Sequence, residues 1–321
     1  MNQNKLIRRE LRHQFHPVGW SLVVYYLLMN FVVIFWGIAS GMINAIISLL
    51  QGDFSMNQYM EDTIASLGWG YGLTITIGFV VLLLWKKPAY FKNELFVRGK
   101  PMTFGAFAGL LCVFLSVQLV TAILNNIIEL VLNMMGLTMM AALESSSGMQ
   151  EGLAMFIYAS ILAPISEEIL FRGLIQRSLL PFGKKFAVFG SALLFGIFHG
   201  NLAQTPFAFL AGLVLGYVAV EYNLIWAMVL HMVNNLVLAD MLSRLTSFLP
   251  ATVSELIMGL IILVFGIAGV VVLVVKHKRI GQWLRQEKMN KLCVQALLSH
   301  PGVIVLMILT FLNGLLLFSK L

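Results

Sequence analysis

Between residues 160 and 240, Glu167, Glu168, Arg172, His199, Glu221, His231, Asn234, Asn235 and Asp240 interrupt an otherwise apolar stretch. Their spacing constrains what they can do, because residues four apart share a helix face while adjacent residues diverge by about 100°. In Pro164-Ile165-Ser166-Glu167-Glu168-Ile169-Leu170-Phe171-Arg172, Glu168 and Arg172 stand one turn apart and can neutralise each other, the reading favoured for that pair. Glu167 then points elsewhere. A carboxylate without that local counter-ion, held in a low dielectric, is a candidate general base. His199 closes Phe195-Gly196-Ile197-Phe198-His199, which sets an aromatic one turn before an imidazole, and Phe195 is read as packing that shapes the pocket. His231 and Asn235 are again one turn apart, so one helix offers two hydrogen-bond donors to a common point. A carboxylate base, an imidazole to hold a water and a His/Asn pair to steady developing negative charge are parts that hydrolyse an amide without a protein nucleophile.

Elements of one kind must position these groups. The chain has 321 residues, 60% hydrophobic and 11% charged, with 2 cysteines and a mean hydropathy of +0.90. Soluble proteins carry ~25% charged residues, so this composition excludes a cytosolic enzyme, a disordered chain and a disulfide scaffold. A bilayer core about 30 Å thick needs ~20 apolar helical residues. Continuous apolar runs near 18–46, 64–85, 104–135, 152–180, 186–203, 205–221, 224–245, 254–275 and 302–318 predict an all-α, polytopic transmembrane bundle of about eight or nine helices with a buried polar active site. The first run is too long for a signal-peptide core and is expected to remain as an anchor. Three regions follow: amino-terminal spans over 1–150, about three in number, a polar catalytic core over 151–245, and carboxy-terminal spans over 246–321 that include a basic interfacial segment at 280–300.

The formal charge of +7 is clustered between spans, which fits membrane topology and not a nucleic-acid partner. Lys5, Arg8, Arg9 and Arg12 precede the first span; Lys86, Lys87, Lys92, Arg98 and Lys100 follow the second; Lys184 and Lys185 follow the fourth; Lys276, Lys278, Arg279, Arg285, Lys288 and Lys291 follow the eighth. The intervening loops 51–63 and 136–151 hold Asp53, Glu61, Asp62, Glu144 and Glu151 and no Lys or Arg. A cytoplasmic amino terminus satisfies every cluster. On that orientation Glu167 and His199 lie ~20 Å from the cytoplasmic side and His231 ~10 Å, so their convergence requires the seventh span to tilt or to start deeper. Away from the core, Glu129 with Asn125 and Asn126 is the other polar group deep in an apolar run. Glu129 and Asp240 are read as structural or cavity-lining, Glu221 as interfacial, and Gly212-x-x-x-Gly216 as a close helix contact.

Glu167-Glu168-x-x-x-Arg172, Phe195-x-x-x-His199 and His231-x-x-x-Asn235, in that order and each on a hydrophobic helix, resemble the three motifs of the CPBP family. Those are the CAAX-protease and bacteriocin-processing proteins, intramembrane glutamic endopeptidases related to the Ras-converting enzyme. The resemblance covers roughly 150–245. It implies that Glu167 activates the hydrolytic water, that His199 helps bind it, that His231 and Asn235 form the oxyanion site, and that Glu168 and Arg172 support them. It implies a membrane-associated peptide or protein as substrate, and a multi-pass protein of a bacterial cell membrane.

Other chemistries are weighed against this one. Two histidines and a glutamate can hold a catalytic zinc, but HExxH is absent, since Gly200 follows His199 and Met232 follows His231; the expectation is no cofactor, with a metal ion not favoured. Ser191 lacks a GxSG context and there is no GxGD, against serine and aspartyl intramembrane proteases. A non-enzymatic bacteriocin-immunity or regulatory protein, binding a peptide or a sensor kinase in the same cavity, and an ion-coupled transporter remain as alternatives.

Overall fold

The computed structural model describes residues 3–52, 55–85, 90–147, 152–286 and 288–320. Asp53, Lys86, Lys87 and Glu151 therefore lie outside the described residues, as do the side chains of Lys92 and Asp240. Helices dominate. A short amphipathic α1 (Gln3–Gln14) leads into the long apolar helices α2 (His16–Gln51), α3 (Met56–Trp85) and α4 (Phe104–Met134). After the short α5 (Met140–Ser147) come α6 (Leu153–Phe182), α7 (Lys184–Phe198), α8 (Gln204–Glu221) and α9 (Leu224–Val233). The chain ends with α10 (Ala251–Arg285), α11 (Lys291–Leu298) and α12 (Pro301–Leu315). Among the described residues the strands are β1 (Leu137–Thr138) and β2 (Ser319–Lys320), one antiparallel pair.

Each expected apolar run is helical, but the helices divide by length. Among the described residues six are long and apolar enough to cross a bilayer, or seven if α11 and α12, bent by 58° at Ser299–His300, count as one broken span. The 15 residues of α7 reach only ~22 Å, which suits a helix enclosed by others. The basic segment expected at 280–300 is not one interfacial helix. Instead α10 continues through Lys276, Lys278 and Arg279 to Arg285, where Trp283 Nε1 donates to Glu221 at 3.1 Å and Lys185 donates to the Leu284 carbonyl. A new helix starts where Asn290 caps Leu292, and α11 buries Cys293, Ala296 and Leu297.

Breaks between helices have local causes. Gly183 (φ +110°) and Gly200 (φ +60°) take backbone conformations that side chains disfavour, and they bound α7 at its two ends. Asn201 Oδ1 then accepts from the amides of Ala203 and Gln204 and starts α8, while Asn223 caps α9 through Trp226. α7 packs between α6 and α8, and the main apolar core runs from Phe15 and Leu22 through Phe171, Phe186 and Phe198 to Leu297 and Leu306. α4 packs on α10 and on α8. α10 touches the rest of the protein through a narrow seam, with only Gly266 and Gly269 buried among its described residues.

Candidate active site

α6 does not run as a regular helix. It widens into π-type turns at Tyr158–Leu162 and Ile169–Gln176, on either side of the α-helical segment Ala163–Glu168 that carries both glutamates. α9 likewise widens at Asn234–Met241, directly after His231. Such π turns inside helices are frequent at functional sites, because the inserted residue re-aims the side chains around it.

Glu168 is completely buried, and its Oε1 accepts from Arg172 Nη1 at 3.0 Å and from His231 Nδ1 at 3.0 Å. Glu167 keeps a quarter of its side chain exposed, and its Oε2 stands 3.8 Å from His231 Nε2. His231 thus joins the two adjacent carboxylates. The expected private pair of Glu168 and Arg172 is in fact shared with the imidazole of another helix. This contact brings His231 level with Glu167, the convergence that the spacing required.

His199 caps the end of α7, where helix carbonyls lack intrahelical partners. Its Nδ1 lies 2.8 Å from the Phe195 carbonyl; since a carbonyl only accepts, Nδ1 carries a proton. His199 is within electrostatic reach of Glu167, His231 and Arg172. Phe195 does more than pack. Its ring meets the edges of His199 (4.7 Å), His231 (6.0 Å) and Phe171 (4.9 Å), and the Arg172 guanidinium lies 4.4 Å from its centroid. One buried ring holds both imidazoles and the cation.

Asn235 sits where α9 widens into its π-type turn. Its Nδ2 donates to the Ala159 carbonyl on α6 at 3.0 Å and its Oδ1 accepts from Asn234, which in turn accepts from Gln118 of α4. The remaining candidates are structural. Glu129 accepts from the Thr138 hydroxyl (2.6 Å) and the Met139 amide (2.9 Å), tying α4 to β1. Asn125 donates to the Ala203 carbonyl and Asn126 to its own helix. Glu221 binds Lys100, Lys184 (3.6 Å) and Trp283. Lys100 lies between helices, and its hydrogen bond to Glu221 raises its affinity for the proton. Ser191 is fully buried and donates to the Phe171 carbonyl at 2.8 Å.

Three residues escaped the sequence reading. Tyr25 of α2 and Tyr158 of α6 are in electrostatic reach of Glu167, and Tyr158 stacks on Tyr71 at 4.5 Å; aromatics in apolar helices give no spacing signal. Gln176 did leave one. Glu168, Arg172 and Gln176 repeat every four residues on α6, as Gly212 and Gly216 do on α8. In register, Arg172 Nη2 donates to the Gly212 carbonyl (3.3 Å) and Gln176 Nε2 to the Gly216 carbonyl (2.8 Å). A Cβ on Gly212 would come within 3.2 Å of Arg172 Nη2 and one on Gly216 within 3.0 Å of Gln176 Oε1. The glycines expose carbonyls to a polar ladder. Among the described residues no three His, Cys, Asp or Glu side chains are grouped as a metal would require.

Residues 149–237 match the family model described as type II CAAX prenyl endopeptidase, Rce1-like. This segment is an Rce1-like domain of the CPBP family. No curated protein and no solved structure matches the chain. The Rce1-like domain is under a third of the sequence, yet it contains Glu167, Glu168, Arg172, Phe195, His199, His231 and Asn235. With the membrane-spanning helices on both sides of it, the protein is a multi-pass membrane protein.

Proposed function

We propose that the protein is an intramembrane endopeptidase that hydrolyses a peptide bond in a membrane-associated peptide or protein through a water activated by Glu167. The Rce1-like family implies endopeptidase activity of the CAAX type and a substrate at the bilayer. The observation that carries the mechanism is the asymmetry of the two glutamates. Glu168 is buried and committed to Arg172 and His231, whereas Glu167 is partly exposed and stands 3.8 Å from His231 Nε2, beyond hydrogen-bond distance, which leaves its carboxylate available to a water.

In this reading Glu167 takes a proton from the water as its oxygen adds to the scissile carbonyl, and returns that proton to the amine as the C–N bond breaks. His199, with its lone pair on Nε2, accepts a hydrogen bond from the same water and fixes its orientation. His231 holds Glu168 through Nδ1 and, with Nε2 on the side of Glu167, faces the developing oxyanion. Asn235 contributes the amide N–H that Ala159 does not occupy. No metal ion or organic cofactor enters these steps. The basic loops support an amino terminus, and a mouth of the site, on the cytoplasmic face, and the resemblance supports a bacterial membrane.

The test is a comparison of peptide termini in membranes carrying the wild-type protein or no protein. New carboxy termini that appear only with the wild type support the reading, and identical termini in both sets contradict it. Asn235→Ala should slow cleavage of a peptide found this way by ~100-fold, mainly in kcat, as loss of an oxyanion donor does; an unchanged kcat reassigns Asn235 to the contact between α6 and α9.

A further inference from the structure

A second polar site lies far along the chain from the glutamates and has no part in their chemistry. Lys5, Arg9, Arg12 and His13 of α1, His16 at the start of α2, and His300 and Pro301 at the start of α12 surround a cavity of about 500 Å³. Among the described residues no acidic side chain lines it. His300 is 1% exposed, and its Nδ1 accepts from the Gly302 amide at 3.1 Å. Nδ1 is therefore the unprotonated nitrogen, so Nε2 carries the hydrogen. That Nε2–H is buried with no acceptor among the described residues, a costly state for a donor. The surroundings are basic: Arg12 and His16 are in electrostatic reach of His300, the His16 and His300 rings lie 5.4 Å apart, and the buried Arg12 Nε also lacks an acceptor among the described residues.

The fold makes room for this histidine. A Cβ on Gly19 would overlap His300 Nδ1 and Cε1, and one on Gly302 would come within 2.8 Å of the Gly19 backbone, so the glycine pair admits the ring where it stands. α1 adds a membrane address. Its Leu6 and Ile7 are exposed beside its basic residues, the pattern of a helix lying at headgroup level.

We infer that this cavity is a phosphate-binding site, formed by Arg9 and Arg12 of α1 with the buried His300 N–H, that takes the headgroup phosphate of an anionic phospholipid or a free phosphate. A phosphate oxygen supplies the acceptor that His300 lacks, and its charge offsets the cluster of cations. Arg9 and Arg12, long and flexible, swing aside to admit it and close on it.

The experiment uses the full chain in detergent, with phosphatidylglycerol and inorganic phosphate as separate probes and the thermal midpoint and native mass spectra as readouts. Phosphatidylglycerol should bind and raise the midpoint, and R9Q/R12Q should weaken that binding by about tenfold or more. K5Q/R9Q, which changes exposed positions only, should weaken it with the fold intact. K278Q/R279Q on α10 controls for general charge and should bind as wild type. Saturation by inorganic phosphate that blocks the lipid would support the site and make free phosphate a ligand; lipid binding that phosphate does not displace would support the site with the lipid as its ligand. Binding of neither probe, equal binding by R9Q/R12Q and wild type, or an equal loss in K278Q/R279Q would overturn the proposal.

Discussion

α7 and α10 are both apolar helices of one chain, and they are built on opposite principles. In α7, ten of the fifteen residues are buried, including Ser191, Phe195 and Gly196, and the helix is too short to span a bilayer alone. In α10, 35 residues carry a mean hydropathy of 3.1 over their best window, and that window is only 11% buried. Lipid does for α10 what neighbouring helices do for α7. Hydropathy measures the first kind of environment and is blind to the second, because a helix enclosed by protein is free to carry Ser, Gly, His and Glu if each has a partner.

The contrast predicts where substitutions hurt. Arg172→Ala, inside the enclosed core, should destabilise the folded protein by ~3–5 kcal/mol, because it leaves the buried Glu168 with His231 alone; unfolding in detergent would register it, and a change below 1 kcal/mol would show that the ion pair is dispensable. Gly216→Val should cost ~1–3 kcal/mol by forcing Gln176 and Val188 apart from α8, and tolerance of valine there would mean that the helices can separate. Leu260→Ala on the outer face of α10, where the side chain is 60% exposed, should stay within ~0.5 kcal/mol. A large loss at Leu260 would reveal a partner covering α10 and would blur the distinction between the two regions.

Much of the outer frame was legible in the sequence because it depends on single-residue properties summed over a window. Nine apolar runs became nine helices, and the order of the motifs matched the helices that converge. The finer geometry was not legible. His231 pairs with Glu168 because α9 crosses α6 at that level, a relation between residues 63 apart that spacing within one helix cannot express. Asn235 bonds to the Ala159 carbonyl of α6 at the point where α9 widens, and no residue type there announces a π turn. Gln176 was within reach, since its four-residue step from Arg172 mirrors the step from Gly212 to Gly216. The extent of α10 was misjudged for a related reason: basic residues mark where a helix leaves the bilayer, not where it ends.

Adjacent glutamates on one helix give the most direct test, since the account assigns them different tasks. Purified Glu167→Gln and Glu168→Gln variants should be compared for thermal midpoint and for cleavage of a peptide that the wild-type protein cuts. Glu167→Gln should lose cleavage and keep the wild-type midpoint, while Glu168→Gln should lower the midpoint by leaving Arg172 buried without its counter-ion. Wild-type cleavage by Glu167→Gln, with its fold intact, would contradict the account.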